Sequence, residues 1–404
     1  MIALTLKNRF ALTELAGEMT TLLHDLPADW REGVFLGRLG LAEGPTPVLV
    51  RKGRVHDISA WAPTSAQAAA RPDLADAPGR DLGDLETLAL GPAWSDAGVT
   101  PRLLSPVDLQ CIKASGVTFA ISAVERVIEE RARGDADKAL AIREALADRV
   151  GADLSAVKPG SEQAYALKDA LIADGLWSQY LEVAIGKDAE IFTKAPVLAS
   201  VGWGDLVGVR PDSAWNNPEP EVAILCDPTG RPVGAALGND VNLRDIEGRS
   251  ALLLGKAKDN NASAALGPFV RLFDAGFGMD DVRDATVSLE VRGEDGFVLE
   301  GSSSMRLISR DPLDLVGQTL NENHQYPDGF ILYLGTMFAP IKDRDAPGQG
   351  FTHKPGDVVT VSSERLGTLR NRVTTTDRAP PWTLGVVELM YNLAGRGLLK
   401  ERSI

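Results

Sequence analysis

Glu219 and Glu221 stand one residue apart, and Asp240 follows nineteen positions later in "NPEPEVAILCDPTGRPVGAALGND". Two residues two apart on a strand project from the same face. A hairpin turning between Pro228 and Thr229 in "DPTG" sets Glu219 opposite Gly238 and Asn217 opposite Asp240, with all three acids on one face. A type I turn that continues into a Gly bulge shifts the register by one and turns Asp240 away. The spacing therefore leaves two readings open. One is a three-carboxylate metal site. The other is a solvated strand end. Ionised carboxylates that cluster need a cation nearby. Oxygen donors without local His or Cys favour Mg2+ or Mn2+ over Zn2+.

The elements that must position these acids read as strands. From residue 184 onward "EVAILCD", "PVGAALG", "DATVSLEVRG", "GFILYLGT" and "GDVVTVSS" alternate with tight turns, which predicts a mainly β architecture with some helix. Residues 122–150 carry helical periodicity and many charges, most of them expected on a solvated face. The expected division is an N-terminal extension over 1–30, weakly tied to the rest, a small α+β domain over 31–106, and a larger catalytic part over 107–404.

Composition narrows the function classes. The chain has 404 residues, 44% apolar and 24% charged, as in a globular protein. Its net charge of −14 argues against a nucleic-acid or anionic-membrane surface. The first residues do not read as a secretory signal, and two cysteines, Cys111 and Cys226, make no disulfide framework. A reducing cytoplasm is expected, with both cysteines as small buried hydrophobes.

Glu219-Pro-Glu221, "NDVNLRD" from Asn239 to Asp245, "EIFTKAP", "KDNNASAALGP", "GFILYLGTMFAP" and "KPGDVVTVSSERLGTLRNRV" occur in an order that resembles the fumarylacetoacetate hydrolase superfamily. The likeness runs over about residues 105–400. It implies a mixed β-sandwich roll with a small N-terminal domain. It also implies Mg2+ or Mn2+ on Glu219, Glu221 and Asp240, and a homodimer or homotetramer. One segment departs from the family's hydrolases. Where they carry Gly-x-Asn-Tyr-x-x-His-x-x-Glu, this chain reads "GVTFAISAVE": Gly116 and Glu125 are kept, but Thr118, Phe119 and Ser122 stand for Asn, Tyr and His. Ser122 is not basic enough to replace an imidazole. Of the other histidines, His24 and His56 lie in the N-terminal part, His353 reads as a surface loop residue, and His324 lies nearest the expected active-site strands.

The branch without that His resembles the 2-keto-3-deoxy sugar-acid dehydratases. The reaction this implies is loss of water from 2-keto-3-deoxy-D-xylonate, or a close 2-keto-3-deoxypentonate, to 2-oxoglutarate semialdehyde. The resemblance assigns Glu190 as proton shuttle and Lys258 as a contact to the substrate carboxylate or enolate oxygen. Thr336 would bond the carboxylate, and Thr118, Phe119 and Ser122 would line the pocket. Arg244 is expected to pair with an acid. An acylpyruvate or 2,4-diketo-3-deoxy acid hydrolase is the alternative among enzymes, and a non-catalytic sugar-acid sensor the alternative outside them.

Overall fold

"EVAILC", "PVGAALG" and "AALGPFVRL" are apolar almost without interruption, a pattern that belongs to strands covered on both faces. In the computed structural model they are Pro220–Cys226, Pro232–Asp240 and Ala264–Leu272, the middle of an eleven-stranded sheet. Residues 21–95, 100–133, 135, 138–139, 157–173, 175, 177–338, 340, 342–346 and 350–399 are described. Hydrogen-bonded order across the sheet is Arg80–Asp84, Arg54–Asp57, Gly44–Arg51, Val34–Leu41, the three central strands in reverse order, Phe330–Tyr333, Cys111–Gly116 and Glu190–Ala195. Arg102–Leu104 pairs with Val34–Leu41 off this path. Its neighbours run antiparallel except Phe330–Tyr333 beside Cys111–Gly116. A second sheet of five strands holds Val298–Ser304, Thr286–Arg292, Val358–Ser363, Gly367–Thr375 and Leu206–Val209.

Burial explains why two sheets form. Val222, Ile224 and Leu237 of the large sheet share one buried cluster with Leu289, Val361 and Leu369 of the small one. On the other face Ala223, Leu225, Ala236 and Tyr333 pack with Leu36, Leu49 and the short helix Ser65–Ala69. Helices Ala120–Ala132, Glu162–Ala173 and Gln179–Ile185 build a third, smaller cluster. This is the sheet-rich mixed architecture that the alternating apolar runs predict.

The strands of 31–106 extend the large sheet, because Phe35 and Leu36 pair with Arg271 and Val270. Residues 21–30 differ from the expectation of a weakly tied segment. Leu22 and Trp30 are buried, and Asp25 accepts from Trp203 Nε1 at 2.7 Å and pairs with Arg370 at 2.8 Å. One buried carboxylate that meets two donors distant in sequence anchors the segment, a feature no local pattern announces. Residues 1–20 of the expected extension lie outside the described residues.

Both cysteines are free; Cys226 is buried and Cys111 half-buried. His353, expected on the surface, is buried, with Nδ1 3.4 Å from Asp357 Oδ2 and its backbone N–H on Asn216 Oδ1 at 3.2 Å. Among the described residues no helix is long and apolar enough to cross a membrane.

Candidate metal centre and active site

The acid-bearing hairpin resolves the register question in a way neither simple turn anticipates. Its loop has three residues, Pro228 to Gly230, closed by Asp227 N–H on Arg231 O at 3.0 Å. Gly230 takes φ +83°, the left-handed position of a Gly bulge. That extra residue alone would turn Asp240 away. A second one-residue shift follows: Cys226 pairs with Pro232 but Leu225 with Gly234, so Val233 is bulged out. Two shifts of one restore the parity. Glu221 lies opposite Gly238, and Asp240 N–H donates to Glu219 O at 2.9 Å. Glu219 therefore faces Asp240, not Gly238, and Asn217 pairs with Asn242, not Asp240. One carboxylate oxygen from each of Glu219, Glu221 and Asp240 lies within 4.8 Å of the others, and all three residues are buried. A solvated strand end is excluded.

Cationic side chains converge on these acids. Lys258, from the helix Leu254–Lys258, reaches Glu219 Oε2 and sits 3.0 Å from Asp240 Oδ2. Lys194 is 2.7 Å from Asp240 Oδ1 and donates to Val241 O at 3.0 Å. Arg126 reaches Glu219 Oε1, Glu129 at 2.6 Å and Glu247 at 3.0 Å. Arg244 Nε is 3.2 Å from Glu129 and donates to Asn217 at 2.9 Å, which makes it the acid-paired arginine expected from sequence. Glu221 accepts from Gly335 N–H at 2.6 Å.

The electrostatics follow from burial against these partners. Burial would raise Glu219, but Lys258 and Arg126 outweigh it and hold the carboxyl down at about 2. Burial, then Asp240 and Glu219, pushes Glu221 well above the ordinary range. Burial lowers Lys194, which its contact with Asp240 offsets only in part. Three buried oxygen donors turned toward one another, with no His or Cys among them, fit a divalent hard cation.

One cleft brings together Glu190, Lys258, Ser122, Thr336 and the three acids, with Arg126 and Glu247 in its wall. Glu190 starts its strand opposite Gly116, and its carboxyl is raised to about 7, first by burial and then by Glu247. Ser122 caps its helix, with Oγ accepting from Phe119 N–H at 3.3 Å and donating to Phe119 O at 2.8 Å. Thr336 Oγ1 donates to Phe338 O at 3.0 Å. Thr118 and Phe119 do not line the cleft. The Thr118 hydroxyl is spent on Leu334 O at 2.6 Å, and Phe119 packs into the inter-sheet core, so both support the wall from behind. His324 is exposed in a turn, and no histidine lines the cleft.

Sequence reasoning missed Arg126, Glu129, Glu247 and Lys194. Arg126 and Glu129 belong to the helix whose charges were expected in solvent. Lys194 is the lysine of "EIFTKAP", and Glu247 lies three residues past Arg244. Their apolar flanks ("VERVIEE", "RDIEG") are the signal that was available.

Residues 233–374 match the family model described as "Fumarylacetoacetate (FAA) hydrolase C-terminal", in line with the resemblance read from the sequence. Among curated proteins the chain is similar to a 2-dehydro-3-deoxy-D-arabinonate dehydratase of Saccharolobus solfataricus, 31% identical over 45% of this chain and 57% of that one. It is also 31% identical to a protein of Haloferax volcanii described as a probable 2-keto-3-deoxyxylonate dehydratase, over 48% of this chain and 64% of that one. The matched region thus spans less than two thirds of either relative. Among solved structures, the apo form of a 2-keto-3-deoxy-D-arabinonate dehydratase superposes with a TM-score of 0.60 at 20% identity, covering 84% of this chain and 98% of that one. A 2-keto-3-deoxy-D-arabinonate dehydratase complexed with magnesium and 2,5-dioxopentanoate gives 0.59 at 21% identity, covering 84% of this chain and 98% of that one. At such identity these structures share the fold.

Proposed function

We propose that this chain is a divalent-cation-dependent hydro-lyase acting on a 2-keto-3-deoxypentonate, with 2-keto-3-deoxy-D-xylonate as the preferred candidate, and releasing 2-oxoglutarate semialdehyde (2,5-dioxopentanoate) and water. The observation that carries the reading is a cleft holding a carboxyl near neutrality, Glu190, beside three buried acids and Lys258, with no imidazole among its lining residues. Such a cleft can move protons but lacks the family's water-activating base. The relatives' names, and the ligands named for the similar dehydratase, support the same substrate class.

Glu219, Glu221 and Asp240 would hold Mg2+ or Mn2+. When bound there, the cation supplies Lewis-acid stabilisation to the carboxylate and keto oxygens of a 2-keto acid. Glu190 takes a proton from C3 and returns it to the departing C4 hydroxyl, so that the C3–H and C4–O bonds break and water leaves. A proton then moves from C5 to C3, and the resulting C4–C5 enol becomes the aldehyde. A carboxyl raised to about 7 can do both halves of such a shuttle near neutral pH. Lys258 bonds the keto-acid end, and Ser122 and Thr336 line the remaining wall. Two free cysteines fit a reducing cytoplasm.

The test is to incubate the Mg2+-loaded protein with each C4 epimer of 2-keto-3-deoxypentonate and identify the products. The semialdehyde supports dehydration. Pyruvate means retro-aldol cleavage or hydrolysis, and no product means a sensor.

A further inference from the structure

Five carboxylates line the cleft among the described residues, and the proposed reaction leaves Glu247 unused. Glu219, Glu221 and Asp240 are the candidate cation ligands, and Glu190 carries the first proton. Glu247 ends the short helix Arg244–Glu247, which is held firmly. Arg244 donates to Asn217 at 2.9 Å and to Pro340 O at 3.3 Å, and Gly248 N–H closes the turn on Arg244 O at 2.9 Å. Glu247 is buried, yet its Oε2 accepts no hydrogen bond. Arg126 Nη1 stands 3.0 Å from it as an ion-pair contact alone. Arg126 does not depend on that contact, because the same guanidinium hydrogen-bonds Glu129 at 2.6 Å and Glu219. A buried carboxylate oxygen without a donor is a cost that a purely structural acid would not carry. Glu247 is also the charge that, after burial, does most to raise Glu190, so the two carboxyls act on each other across the cleft.

We propose that Glu247 is the second proton-transfer residue of the reaction, moving a proton from C5 to C3 once water has left. The inference rests on the dehydration proposed above, which needs two transfers. Glu190 takes the C3 proton and gives it to the C4 hydroxyl, so it ends ionised with the new water beside it. What remains is a 5-hydroxy-2-keto acid with a C3–C4 double bond. Glu247 takes a proton from C5. The C5–H electron pair becomes the C4–C5 double bond, the C3–C4 pair moves to C2–C3, and the keto oxygen takes the charge. The protonated carboxyl then gives its proton to C3, and the keto group reforms. C3 and C5 are both bonded to C4, so one carboxyl serves both. The remaining enol gains a proton at C4 and loses one from oxygen to give the aldehyde. Water is the only group lost, and no oxidant or reductant takes part. A carboxylate oxygen that no donor occupies suits the removal of a carbon-bound proton.

The test uses Mg2+-loaded protein and the C4 epimer that the wild type turns over, at about pH 8, where Glu190 is ionised with or without Glu247. Glu247→Gln should still lose water within about tenfold of the wild-type rate but form the semialdehyde about 10²–10⁴-fold more slowly. The unsaturated hydroxy acid then builds up, read by NMR as vinyl protons at C3 and C4. Glu190→Gln should instead slow water loss itself. Semialdehyde at the wild-type rate from Glu247→Gln overturns the proposal and leaves the dehydration standing. So does loss of both steps together, which places Glu247 in the first. A wild type that turns over neither epimer sinks the proposal and the dehydration alike. Should Glu247→Gln misfold, Glu247→Asp decides. Its turnover should show a larger isotope effect from deuterium at C5 than the wild type and a smaller one from deuterium at C3; isotope effects unchanged from the wild type refute the assignment.

Discussion

Glu190 lies directly opposite Gly116 in the antiparallel pair, and its carboxylate fills the space that a side chain at 116 would occupy: a Cβ there would stand 1.9 Å from Glu190 Oε2. Gly116→Ala should therefore displace the carboxylate, not break the strand, since the colliding atoms are the end of a movable side chain. We expect kcat to fall on the order of 100-fold with a stability cost of about 1 kcal/mol or less. Steady-state kinetics beside a thermal melt checks this; wild-type kcat in Gly116→Ala would show that the Glu190 position is not critical.

Glu190→Gln keeps the shape and removes proton transfer. Turnover should drop about 10²–10⁴-fold while KM changes little, because under the proposed mechanism the cation on the three acids and Lys258 would hold the keto-acid end. Exchange of the C3 protons with deuterated solvent should slow in parallel. Near-normal turnover and exchange in this variant would remove Glu190 from the mechanism.

The same carboxyl predicts a pH profile. As the proposed base for the C3 proton, Glu190 would have to be ionised, so kcat/KM should fall tenfold per pH unit below its pKa. That limb should lie above the ordinary Glu value of 4.5 and no higher than about 7, because burial and Glu247 raise the group while Arg126 and Lys258 oppose them. Glu190→Gln should lack the limb. A profile with the same limb in wild type and variant would assign the titration to another group.

How far the sequence could be read shows best at the hairpin. The alternation Glu-x-Glu put two acids on one face, but whether Asp240 joined them depended on two separate one-residue shifts, at Gly230 and at Val233. "DPTG" announces the first. The second comes from the fit of Pro232–Asp240 between two neighbouring strands, which no local pattern carries. The fold class was legible because strands buried on both faces must be apolar throughout. Arg126, Glu129 and Glu247 were not, because a charged helix face reads as solvated unless one knows that a partner of opposite charge waits across it. Family resemblance placed Thr118 and Phe119 in the pocket segment, but which side of the wall each faces is set by Leu334 and the core behind it.

Asp25 offers a test of the N-terminal anchor. Its carboxylate meets Trp203 and Arg370 while nearly inaccessible to solvent. Asp25→Ala leaves both donors short of their acceptor and should cost about 3 kcal/mol in a urea melt. A loss under about 0.5 kcal/mol, the scale of a neutral surface change, would show residues 21–30 to be weakly tied after all.

A cation held by Glu219, Glu221 and Asp240 and the loss of water are the two central proposals for this site. Both meet in one measurement: product formation by chelator-stripped protein from the C4 epimer that the loaded enzyme turns over, followed by NMR before and after Mg2+ is added back. The expected result is no turnover in the stripped protein, recovery on addition, and 2,5-dioxopentanoate as the product. Full turnover without metal, or pyruvate in place of the semialdehyde, would contradict it.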